Sequence, residues 1–343
     1  MDSNILFLSQ EDVKSCGGLN MENAINTMEQ VFSIHDKGDY VLPNKTTLRW
    51  GDRDSESIFG RINSMPGYIG GDFNASGIKW ISGAPQNPFK YDLPRAAGII
   101  ILNDPETLMP VAVMDGTLIS SMRTGANSGV VARYLARKDS QKLGLIGAGV
   151  QNRTQLLALY SVLPELNEVK ITDLDNSRAQ AFANEMSKIV PIPIKVVDTA
   201  EEAVRASDVF VTATVTKEPI IKSDWVEEGS LYIHVGSHEC EFDVIHKSNK
   251  VVVDDWSELK HRGVETISIM YEENEFEETS LYSELGEIVN NKRKGREDNQ
   301  ERIYFNSVGM GIEDIALASQ IYKLAKQQNI GQLLSLWNKP EFV

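Results

Sequence analysis

Cysteine is nearly missing from these 343 residues: only Cys16 and Cys240 occur, far apart and with no CxxC spacing. A disulfide framework and a Cys-rich zinc site are excluded on that ground, and a reducing cytoplasm is the expected compartment. The five histidines form neither an HxxxH nor an HExxH pattern, so no metal is expected. Positive charge is scarce as well, with 34 Lys and Arg against 49 Asp and Glu and a formal charge of −15. Nucleic acid and anionic membranes reward clustered cations, so neither is expected as a partner. No apolar run approaches the ~18–20 residues that span a bilayer. The opening segment MDSNILFLSQEDV has no basic stretch followed by an apolar core, so no secretory signal is expected. Repeats and low-complexity segments are absent, and the densest charge run, NNKRKGREDNQER, reads as a solvated loop.

What is present is the composition of a globular chain, 41% hydrophobic and 24% charged, long enough for two domains. From KLGLIG onward, short apolar strands (EVKITD, PIKVVD, DVFVTATV, SLYIHVG, KVVVDD) alternate with helical segments, the pattern of parallel βαβ units. The expected class is α/β, with a Rossmann-type doubly wound domain over residues 126–314. The first ~125 residues read differently: GIIILND and VAVMDG flank a Pro-bounded turn as an antiparallel pair, and TLISSMRTGANSGVVARYLARK is a long helix. The C-terminal GIEDIALASQIYKLAKQQNIGQLLSLW reads as one amphipathic helix returning to that region. Residues 1–125 and 315–343 are thus expected to form a discontinuous α+β domain for substrate binding and dimerisation, with a cleft between the domains as the active site.

The stretch LGLIGAGVQNRTQ begins like a dinucleotide-binding turn, yet Asn152 stands where the third glycine belongs. Gly147 and Gly149 follow a predicted strand and open a helix, the context that chemistry requires. Gly147 permits the tight turn, and Gly149 lets a pyrophosphate approach the backbone at the helix N-terminus. Asp173 ends the next strand, where a carboxylate binds ribose hydroxyls and repels a 2′-phosphate. NAD is therefore the expected cofactor, although Arg178 could cradle a phosphate.

GAGVQNRTQ resembles the GxGxQxxxQ turn of the ornithine cyclodeaminase/μ-crystallin family, and MPGYIGG…SGIKWI, LISSMRTGA and NSVGMGIEDIALA resemble its other signatures in the same order. The likeness runs over about residues 5–335. RAAGIIILNDPETLMPVAVMDGTLISSMRT, VVVDDWS and ELGEIV…GRED look nearest to one branch, NAD-dependent dehydrogenases that cleave N-(2-amino-2-carboxyethyl)-L-glutamate to 2-oxoglutarate and L-2,3-diaminopropionate for siderophores or peptide antibiotics. The resemblance implies a homodimer joined through a β-sheet, acting on a small anionic amino acid. Ornithine cyclodeamination, imine reduction, alanine dehydrogenation and ligand binding without turnover are the alternatives.

Lys79, in SGIKWI, lies in a predicted strand among apolar residues, where a lysine is costly without a partner or a task. The resemblance makes it the active-site lysine, and makes Arg123 the arginine whose planar fork binds the substrate carboxylate. Arg49 is expected as a second carboxylate ligand, with Lys45 as the competing alignment. Cyclodeaminases carry an Asp after the VG that ends a strand; here the segment is IHVGSHECEFD, and Glu239, or less readily His238, takes the neighbouring position as acid or base. That departure weighs against ornithine cyclisation. Val150 and Gln151 in the turn, Thr212 and Thr214 in DVFVTATVT, and Ser307 and Gly309 in NSVGMG complete the expected cofactor contacts.

Overall fold

Two-residue alternation builds the first of two sheets in the computed structural model, which describes residues 4–50 and 60–342. Its strands are β1 (Asn4–Leu8), β2 (Tyr40–Val41), β3 (Thr46–Trp50), β4 (Gly60–Ile69), β5 (Ala75–Gly83), β6 (Ala96–Asn103) and β7 (Pro110–Asp115), with Gln332–Ser335 as a last strand on the outer side of β1. From that edge the order runs β1, β7, β6, β5, β4, β2, and β3 also pairs with β4. The loop GDRDSES lies outside the described residues.

In β5, Ala75, Gly77 and Lys79 point to one face and Ser76, Ile78 and Trp80 to the other. The Lys79 row crosses four strands as register partners Met65, Lys79, Ile100 and Met114, all buried. The helix Gly311–Gln328 covers this face. On the other face Leu48, Trp80 and Ile99 remain exposed. The helix stops at Asn329, whose φ of 55° is left-handed, and Gly331 at φ 100° redirects the chain. QLLS then leaves as a strand antiparallel to β1, with Asn4 opposite Ser335. The sequence pattern predicts continued helix there; a short apolar run has no period of its own, and the cap decides. This unit comprises Met1–Asn20, Lys37–Arg123 and Met310–Val343.

The second unit comprises Met21–Asp36 and Thr124–Gly309. Its strands are β8 (Lys142–Ile146), β9 (Glu168–Thr172), β10 (Ile194–Val196), β11 (Val209–Thr212), β12 (Leu231–His234), β13 (Lys250–Val253), β14 (Ser283–Glu284) and β15 (Ile303–Asn306). They are all parallel, in the order β10, β9, β8, β11, β12, β15, β13, β14. The chain winds one way from β8 to β10 and the other way from β11, so the order reverses between β8 and β11, the switch point at which doubly wound sheets bind ligands. Four strands, β11, β12, β13 and β15, are buried along their whole length, as strands covered on both faces must be. Residues 21–36 group with this unit, where the sequence reading gives them to the other domain. Their partners are remote in sequence: Ser33 Oγ donates to Asn290 Oδ1 at 2.7 Å, and Lys292 pairs with Asp36 at 2.9 Å.

Candidate active site and dinucleotide turn

β8 ends in the turn Gly147–Gly149, from which the helix Val150–Val162 departs. Gly147 has φ 98°, a conformation that only glycine adopts without strain. Asn152 is fully buried, and its Nδ2 donates to the carbonyls of Ile146 (2.9 Å) and Gly147 (2.6 Å). The amide thus fixes the turn by hydrogen bonds where a third glycine would do so by close packing. Gln155 Nε2 donates to Thr124 O at 3.2 Å, anchoring the other end of the motif.

The turn fits a dinucleotide on three observations. A Cβ built on Gly149 meets nothing within 4 Å, so the space over the helix N-terminus is open. Gln151 Oε1 is buried and has no hydrogen-bond partner among the described residues. Asp173, half-buried just past β9, accepts from Ala148 N at 2.7 Å, which sets a carboxylate directly beside the turn. Val150 and Arg178 are exposed on the helices that follow. Gly149 is extended with φ −83°, so alanine fits its backbone. Gly149→Ala should therefore fold with a loss of at most about 1 kcal/mol, the cost of a poorer N-cap. Its dinucleotide Kd, read by fluorescence titration, should rise about tenfold or more, because the methyl occupies the path of the pyrophosphate. An unchanged Kd would remove the turn from the site.

Beyond β11 and β12 the second unit contains a buried carboxylate, Glu239. Its Oε2 accepts from Thr212 Oγ1 (2.6 Å) and Gly236 N (3.0 Å) and its Oε1 from Thr214 N (2.5 Å), with His234 Nε2 at 3.1 Å. Water has no access to it, and both oxygens already have donors. Glu239 therefore ties the loop after β11 to the loop after β12, and the Thr212 hydroxyl is enclosed in that knot. His238 is half-buried, its pKa lowered by burial, with Nδ1 3.2 Å from Thr266 Oγ1. Asp254, which sequence reasoning missed, is enclosed beneath Ser307 and Gly309. It accepts from Ser307 Oγ (2.8 Å), Val308 N (2.9 Å) and Gly309 N (2.7 Å), and Gly309 turns with φ 73°. Burial raises the Asp254 pKa, and these donors oppose the rise.

Within the first unit, Lys79 is 1% exposed. Its Nζ donates to Asp314 Oδ2 at 2.5 Å and to Ser120 Oγ at 3.2 Å. Arg123, buried in the helix Thr117–Leu135, donates from NH1 to Glu313 Oε2 at 2.7 Å, with Nε 3.4 Å from Asp314 Oδ1. Burial and the Arg123 guanidinium pull the Lys79 ammonium down to about 8; Asp314 pulls it up, and Lys45 adds to the downward pull. An amine in that range is poised to exchange a proton near neutrality. Lys45 is half-buried and near enough to be felt by Lys79. Arg49 is exposed on β3, opposite Arg61, on the same sheet face as Lys79 but four register pairs farther along. Glu313, Asp314 and Ser120 were not anticipated. Their one local signal is a pair of acids inside the apolar run MGIEDIALA, which does not say what they meet.

The ornithine cyclodeaminase/mu-crystallin family matches residues 4–329. The chain is 38% identical to the N-((2S)-2-amino-2-carboxyethyl)-L-glutamate dehydrogenase of Staphylococcus aureus, over 98% of this chain and 100% of that one. Among solved structures, a Thermococcus litoralis Δ1-pyrroline-2-carboxylate reductase in complex with NADH and L-proline superposes with a TM-score of 0.88 at 38% identity, covering 96% of this chain and 99% of that one. An archaeal alanine dehydrogenase dimer with bound NAD gives a TM-score of 0.88 at 34% identity, over 97% and 100%.

Proposed function

We propose, from the premise that the chain belongs to the ornithine cyclodeaminase/mu-crystallin family, that it is an NAD-dependent dehydrogenase cleaving N-(2-amino-2-carboxyethyl)-L-glutamate to 2-oxoglutarate and L-2,3-diaminopropionate. The buried Lys79–Arg123 cluster carries the reading of oxidation at an amino-acid α-carbon. The substrate is argued from the 38% identity to the S. aureus enzyme over nearly the whole chain.

Gly147, Gly149, Val150, Gln151 and Asp173 would hold the dinucleotide, with Thr214, Ser307 and Gly309 on loops shaped from beneath by Glu239 and Asp254. When bound, the nicotinamide supplies the acceptor for the hydride leaving the glutamate α-carbon. Arg123, with Lys45 and Arg49, would bind carboxylates of the substrate, which carries three; a local group of cations is what such a ligand needs in a chain of net charge −15. Lys79 takes the proton of the secondary amine, so that the nitrogen lone pair can form the carbon–nitrogen double bond as hydride departs. The proton Lys79 has taken is the one the overall reaction releases; once it is given up, Lys79 takes a proton from the water that adds to that carbon and returns it to the amine as the carbon–nitrogen bond breaks. Oxidation should accordingly speed up as pH rises through about 8, where Lys79 loses its proton. Glu239, with both oxygens engaged and no water access, is assigned to loop positioning, which leaves proton transfer to Lys79.

The exposed face of Leu48, Trp80 and Ile99 is where we place a second copy, the archaeal alanine dehydrogenase being a dimer. Sedimentation should give a two-chain mass, and a one-chain mass at micromolar concentration would refute it.

Absorbance at 340 nm with NAD, offered the adduct and separately L-ornithine, tests the reaction. NADH in step with 2-oxoglutarate from the adduct alone supports it. Proline and ammonia from ornithine without accumulating NADH would overturn it in favour of a cyclodeaminase.

A further inference from the structure

We propose that Glu313 and Asp314 are positioning residues that hold the two site cations, Asp314 the Lys79 ammonium and Glu313 the Arg123 guanidinium. This deepens the function proposed above and rests on its placement of Lys79 and Arg123 at the reacting substrate.

Both acids lie in the first turn of the helix Gly311–Gln328, and both are completely buried. A single buried carboxylate is expensive, and two in succession more so, unless each has a cation at hydrogen-bond distance. Each has one: Asp314 Oδ2 lies 2.5 Å from Lys79 Nζ and Glu313 Oε2 lies 2.7 Å from Arg123 NH1. Asp314 also bridges, its Oδ1 3.4 Å from Arg123 Nε, so one carboxylate fixes the spacing of the two cations. The helix N-terminus favours negative charge at these positions. Lys79, Arg123, Glu313 and Asp314 cancel in formal charge, so the cations are oriented before any ligand arrives. With Asp314 and Ser120 as partners, Lys79 uses two of its three ammonium donors, and the third serves the substrate.

The groups that face Lys79 are Arg123 and Ser120 from the helix Thr117–Leu135, Asp314 from the helix Gly311–Gln328, with Glu313 beside it on Arg123, and Lys45 from the segment before β3. Asp314 raises the Lys79 pKa, against burial, Arg123 and Lys45.

Asp314→Asn removes that charge with little change of shape. Nitrogen-detected NMR of the lysine amines, with Lys79→Arg to assign the signal, should show Lys79 titrating at a pH lower by about one unit or more than in the wild type, the scale of losing a charge in contact. The rising, acid-side limb of kcat/KM should move to lower pH with it. An unmoved Lys79 titration in folded Asp314→Asn overturns the proposal. The NMR arm needs no substrate, so it stands even if the adduct is not turned over, and the two failures are separable. Should Asp314→Asn not fold, Asp314→Glu carries the test: it keeps the charge and displaces Nζ by one methylene. Its kcat should fall about tenfold or more at unchanged KM for NAD, since misplacements of about 1 Å cost that much. An unchanged kcat in Asp314→Glu overturns the proposal.

Discussion

Lys79→Met should lose about a thousandfold or more in kcat/KM and keep its NAD affinity within about twofold, the range that a missing acid–base group costs. Methionine follows the path of the lysine stem between Met65 and Ile100, so the sheet row stays filled. What disappears is the one side-chain nitrogen among Met65, Lys79, Ile100 and Met114. Stability should also fall. Asp314 is left without its nearest cation, and breaking a buried pair from one side costs about 3–5 kcal/mol. Arg123 Nε at 3.4 Å compensates part of this, so the low end applies. Lys79→Met/Asp314→Asn should then be more stable than Lys79→Met alone, because the uncompensated charge is gone while the activity remains lost. That pattern, read by thermal melting beside initial rates, separates a missing catalytic amine from a collapsed fold. Full turnover in Lys79→Met would remove the site from this face of the sheet.

The parts of the candidate site legible in sequence are those whose signal is local. Gly147, Gly149 and Asp173 follow a strand–turn–helix–strand period, and Lys79 interrupts an alternating apolar strand. Residues defined by remote partners were not legible in the same way. Glu239 is legible as a carboxylate in the loop after β12, but its burial depends on Thr212 and Thr214, 27 and 25 positions earlier. Asp254 acts on a loop 53 to 55 residues later. Asp314 meets Lys79 across 235 positions, and no local window contains both. The fold shows the same division. The parallel order of the second sheet follows from its βαβ rhythm, whereas the attachment of residues 21–36 depends on partners such as Asn290. Gln332–Ser335 failed for a different reason: four residues cannot display a period, and Asn329 and Gly331 decided the conformation before it began.

Asp173→Ala should raise the KM for NAD about ten- to a hundredfold and narrow the preference for NAD over NADP by a similar factor. Two effects are joined in this residue, and they predict different companions. The carboxylate, if it receives the ribose hydroxyls, contributes hydrogen bonds of about 1.5–3 kcal/mol each as a charged acceptor, and about 1.4 kcal/mol is tenfold in binding. Its charge also repels a 2′-phosphate, for which Arg178 in the next helix is the candidate partner once the repulsion is gone. But Oδ2 accepts from Ala148 N at 2.7 Å and Oδ1 from Asp175 N at 3.0 Å, so the side chain also braces the turn itself. Asp173→Asn keeps a neutral acceptor for Ala148 and abolishes the charge. If charge sets the cofactor preference, Asp173→Asn relaxes it as far as Asp173→Ala does, with a smaller loss of NAD affinity. If bracing dominates, Asp173→Asn retains nearly all of the NAD affinity and the preference stays, while Asp173→Ala weakens NAD and NADP together. Steady-state KM values for both dinucleotides in both variants distinguish the cases. Normal values throughout would mean that no ribose reaches this carboxylate, and the turn would lose its acidic partner.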